Sequence, residues 1–94
     1  MTDELELDFT VRVINRFNEL TGRLSCSPAD YGQAQEWEAT GMPVGIVLLA
    51  LHVWADVNKG KRWLRRAPLE WLDPMVMESY ASWRRAVGPS YRVM

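Results

Sequence analysis

His52 and Asp56 stand four residues apart in an apolar stretch. A helix there would set the imidazole and the carboxylate on one face, the arrangement of a general base with its orienting acid. No nucleophile stands at a motif spacing beside them, so the pair reads as a structural contact at the edge of a core. Cys26 lies between Ser25 and Ser27, just before a helix start. Helix N-termini favour thiolates, but an incidental loop thiol is the simpler reading. The sequence has no glycine-rich phosphate loop and no His-Glu-x-x-His. One His and one Cys in 94 residues leave no disulfide framework and no Cys-based zinc site. The expectation is a protein that is not an enzyme, with no metal and no cofactor.

Charge distribution says more than the net charge of −1. Residues 1–47 hold eight acids against three bases, and residues 48–94 hold four acids against eight bases. Five of those bases, Lys59, Lys61, Arg62, Arg65 and Arg66, crowd into eight residues around Trp63. Cations that neutralise phosphates, interleaved with a ring that stacks on a base, suit single-stranded nucleic acid. Arg84 and Arg85 extend the patch if the last helix folds alongside. The competing reading is a solvated loop whose arginine stems cover apolar surface, with Trp63 closing the core. The same charges also suit an acidic protein partner or head-to-tail self-association. Trp and Arg are both enriched at interface hot spots, so the Trp63 cluster is the candidate site under either binding reading. Trp37, Trp54, Trp71 and Trp83 fall on or beside apolar stripes and are assigned to the core.

These residues need elements to hold them, and the punctuation supplies four helices. Asp8 caps a stripe of Phe9, Val13, Phe17 and Leu20, which Gly22 stops. Ser27-Pro28-Ala29-Asp30 sets a capping hydroxyl, a first-turn proline and an acid at the third position. That start opens a helix to about Thr40 with Tyr31, Ala34 and Trp37 as its buried stripe. The third helix, Pro43 to about Asn58, is apolar almost all round and belongs at the centre of a bundle. Gly45 inside it costs about 1 kcal/mol against Ala, which close helix packing would explain. After a short turn at Pro68–Leu72, Asp73-Pro74 is a cap-plus-proline start. Val76, Tyr80, Trp83 and Val87 then follow helical spacing until Gly88-Pro89 stops them.

The fold class expected is all-α, a compact bundle of four helices around the third. Residues 1–8 are expected to be a flexible acidic arm, 9–88 one helical domain and 89–94 a flexible tail. A domain of this size has little to spare for covering every face of the third helix, which leaves an oligomer or a partner surface open. Met1 to Asp8 hold four acids and no base, unlike a secretory leader. The apolar run Met42–Ala55 falls short of the ~18 residues that span a bilayer. With one unpaired cysteine, a cytoplasmic protein without membrane contact is expected.

A family resemblance covers about three quarters of the chain. Its residues are Phe17-Asn18-Glu19-Leu20-Thr21-Gly22-Arg23-Leu24, Ser27-Pro28 with Asp30, Trp37, and Gly41-Met42-Pro43. They continue with the apolar helix Val44–Leu51 and the closing Trp83-Arg84-Arg85-Ala86-Val87-Gly88. This pattern resembles the small helical domain of DnaD-like replication initiation proteins and phage replisome organisers. Met75 stands where that family carries a tyrosine, and the basic Lys59–Arg66 stretch lengthens the last connection. The resemblance implies a helical fold that binds single-stranded or remodelled DNA, a helicase or its loader, and that self-assembles.

Overall fold

A computed structural model describes residues 8–93, with side chains to Val87. The acidic arm therefore lies outside the described residues except for Asp8. The architecture is all-α: α1 (Phe9–Thr21), α2 (Pro28–Ala39), α3 (Val44–Val57) and α4 (Asp73–Val93), with two 3₁₀ turns, Arg62–Arg66 and Leu69–Leu72, between α3 and α4. Among the described residues there is no strand. None of the described helices is long and apolar enough to cross a membrane.

The sequence caps act where they were expected. The Asp8 carboxylate accepts from Val11 N at 2.8 Å, and Gly22 closes α1 in the left-handed region at φ 79°. Ser27 and Asp30 form a complete capping box on α2. Two local expectations fail. Asp73 is itself helical and its carboxylate accepts from Trp37 Nε1 at 2.8 Å, so it joins α4 to α2 instead of capping α4. Nor does the Gly88-Pro89 pair stop α4, which runs on to Val93. Pro89 has no N–H for the ladder, yet the helix continues past it.

Helix α1 packs on both α2 and α3, and α3 lies between α1 and α4. The second 3₁₀ turn plugs the end of the bundle, with Leu69 and Leu72 fully buried against α2, α3 and α4. Val13, Ile14, Phe17, Trp37, Met42, Val47, Leu51 and Val76 are the other large side chains of the core. Each large apolar side chain buried there stabilises the fold by roughly 1.5–3 kcal/mol. Within this chain α3 is covered on one side only. Val47, Ala50, Leu51 and Ala55 are buried, while Leu49, Val53 and Val57 face solvent. Gly45 sits on the open side, and a Cβ there would meet nothing within 4 Å. Close packing within the chain is therefore not its reason.

Burial also corrects the α2 stripe. Asp30 is buried with Ala34 and Trp37, whereas Tyr31 is exposed. The charged residue goes inward because it has three donors to satisfy.

Candidate functional site

The basic segment is a built turn. Gly60 (φ 85°) reverses the chain after α3. Lys61 N donates to Asn58 O at 3.1 Å, and Leu64 N to Lys61 O at 3.2 Å, which starts the first 3₁₀ turn. Side chains three apart eclipse in such a turn, so Arg62 falls beside Arg65, and Trp63 beside Arg66. The far end is stapled to the bundle. Arg23 Nη1 donates to Ala67 O at 3.0 Å, and Leu69 N donates to Asp30 Oδ1 at 3.0 Å.

The staple centres on one buried ion pair. Arg23 Nη2 lies 2.9 Å from Asp30 Oδ2, with Asp30 2% exposed. The same carboxylate accepts from Ser27 N at 3.3 Å, and the Arg23 guanidinium lies 5.4 Å from the centre of the Phe17 ring. A buried carboxylate with all its donors in place fixes geometry tightly, because each lost donor is costly in a low dielectric. Sequence reading saw Asp30 only as a capping acid. Its contact with Leu69, 39 positions away, has no local signal.

On this frame Lys59, Lys61, Arg62, Arg65 and Arg66 are all exposed, and none forms an ion pair among the described residues. Arg65 Nε lies 3.5 Å from where a Cβ on Gly22 would stand, at the C-terminal end of α1. That is the negative end of the helix dipole and a favourable place for a cation. Trp63 is 37% exposed, and its ring contacts Trp54 at 6.0 Å and Trp71 at 5.6 Å. With Phe17 6.2 Å from Trp54, four rings lead from the core to the surface. Trp71, assigned to the core from sequence, is 55% exposed at the outer end. The reason is the 3₁₀ spacing: with Leu69 and Leu72 inward, the ring between them turns outward.

Arg84 and Arg85 lie on α4, and their contacts stay on that helix. Arg84 sits over the Tyr80 ring at 5.7 Å, and Arg85 Nη2 donates to Ser82 Oγ at 3.2 Å. Tyr80 stacks on Trp83 at 6.1 Å. Trp54 and Trp83, also assigned to the core, are half-buried.

A groove of about 500 Å³ adjoins the basic turn, lined by Leu20, His52, Val53, Ala55, Asp56, Lys59 and Leu64. No hydrogen bond joins His52 to Asp56 among the described residues. His52 Nε2 instead lies 2.6 Å from Arg16 Nη1. A guanidinium only donates, so Nε2 accepts. That occupies the nitrogen a general base would use. Cys26 is a half-buried free thiol packed against the core. Among the described residues no three His, Cys, Asp or Glu side chains cluster as metal ligands. Neither a known family model, nor a curated protein, nor a solved structure significantly matches this chain.

Proposed function

We propose that this chain is a small, non-enzymatic, cytoplasmic accessory module that binds single-stranded nucleic acid through Lys59, Lys61, Arg62, Arg65 and Arg66. The observation that carries the reading is five exposed cations with no ion pair among the described residues, on and just before a turn held by the Arg23–Asp30 pair, beside exposed indole rings. Like charges crowded on a rigid segment repel one another, and a polyanion relieves that repulsion while releasing its own counterions. Holding the turn in place beforehand lowers the ordering cost of binding. The resemblance of Phe17–Gly88 to DnaD-like domains points the same way, and from it we take a role in replication or mobile-element processes. The test is anisotropy of a labelled single-stranded oligonucleotide across a salt series. Five neutralised phosphates give a slope of log K against log salt of about −3.5 for a single strand. The triple variant Arg62→Ala/Arg65→Ala/Arg66→Ala lowers that slope in magnitude by about 2. Equal binding by variant and wild type would remove the site assignment.

A second reading has its own observation. Leu49, Val53 and Val57 form an exposed apolar stripe on α3, which favours an adaptor that docks on a protein or on a second copy. Sedimentation of the wild type against Val53→Glu tests self-association through that stripe. If both run as monomers, self-association through α3 is excluded.

A further inference from the structure

We propose that Trp71, and not Trp63, is the ring on which a nucleobase stacks. This rests on the single-strand reading above and names the residue that discriminates at the same site. Trp63 is hemmed between two other indoles, Trp54 and Trp71, with centroids 6.0 and 5.6 Å away. It serves as the edge-on support of its outer neighbour, at an interplanar angle of 62°. Trp71 ends the row and is the most exposed tryptophan among the described residues, at 55% against 37% for Trp63.

The mounting of Trp71 is rigid. Its backbone N–H donates to Pro68 O at 3.1 Å, Leu69 N donates to the buried Asp30, and Leu69 and Leu72 on either side are fully buried. A large ring held out into water on a fixed turn is already ordered, so a base stacking on it immobilises little further side-chain freedom. Trp63, 5.6 Å away, shares its turn with Arg62, Arg65 and Arg66, which puts phosphate-binding cations beside the ring. The acid next to Trp71, the exposed Glu70, disfavours a phosphate at that spot and leaves the ring for an uncharged base. Stacking on an indole needs an unpaired base with a free face, which a single strand offers and a duplex withholds.

The experiment compares a labelled oligothymidylate with an abasic oligomer of equal length, by anisotropy at low salt, on wild type, Trp71→Leu, Trp71→Phe and Trp63→Phe. Circular dichroism confirms that each variant is folded. Wild type is expected to prefer the base-bearing strand. Trp71→Leu is expected to weaken binding to that strand about 5- to 150-fold, the range for one stacked base, with abasic binding unchanged. Trp71→Phe and Trp63→Phe should keep most of the preference. Binding of both strands by wild type with no preference, or an unchanged preference in Trp71→Leu, overturns the role of Trp71 and leaves the cationic site standing. If wild type binds neither strand, the single-strand reading falls and the exposed indoles become candidates for a protein contact.

Discussion

Replacing Asp30 by Ala should destabilise the protein more than any other single change to a polar residue described here. The carboxylate is 2% exposed and accepts from Arg23 Nη2, Leu69 N and Ser27 N at 2.9, 3.0 and 3.3 Å. Removing it strands the Arg23 guanidinium, whose side chain is 18% exposed. Breaking a buried pair from one side costs about 3–5 kcal/mol, and an orphaned buried N–H such as that of Leu69 costs about 1–3 kcal/mol on its own. Arg23 keeps Ala67 O and the Phe17 ring and retains some exposure, so we take about 3 kcal/mol as the expected loss for the whole site. A domain of this size is stable by about 5–15 kcal/mol, and each kcal/mol moves Tm by about 4–8 °C. The variant should therefore melt at least about 12 °C below wild type. Asp30→Asn keeps one acceptor oxygen but loses the charge opposite Arg23, a loss of about 1.5–3 kcal/mol. Urea unfolding followed by tryptophan fluorescence measures the free-energy losses, and thermal unfolding measures the Tm shift. A cycle with Arg23→Ala should show a coupling of at least about 1 kcal/mol between the two residues. An Asp30→Ala protein melting within about 4 °C of wild type, with no coupling to Arg23, would refute the idea that this pair holds the two 3₁₀ turns to the bundle.

Trp37→Phe removes the Nε1 donor to Asp73 between α2 and α4 and should lose about 1.5–3 kcal/mol, read by the same unfolding curves. Gly45→Ala should raise stability by about 0.4–1 kcal/mol, because its Cβ enters open space and the unfolded chain loses freedom. Gly22→Ala should lower stability by about 1–2 kcal/mol, since φ 79° is strained for any residue with a Cβ. Opposite signs for the two glycines in one thermal-melt experiment check both statements.

Much of the framework was legible locally. Asp8, Gly22 and the Ser27–Asp30 box mark their helix ends because capping is an interaction between residues a few positions apart. The crowding of cations around Trp63 was equally visible, since it is a property of eight consecutive residues. Trp71 was misjudged for a definite reason. An indole between two leucines reads as core in a composition-weighted pattern, but the Leu69–Leu72 segment is a 3₁₀ turn. Its three-residue period sends Trp71 out as the leucines go in.

From the sequence alone come the all-α class, most helix boundaries, the polarity of charge between the halves, and an α3 that is apolar almost all round. All of these follow from short-range periodicity and from composition. Tertiary structure alone decides that α3 leaves Leu49, Val53 and Val57 bare and that His52 accepts from Arg16 rather than pairing with Asp56. It alone joins Asp30 to Arg23 and Leu69 beneath the basic turn. Those outcomes depend on which side chains meet across distances of up to 39 positions. No local pattern encodes such a meeting, because the partners become neighbours only after the helices have packed.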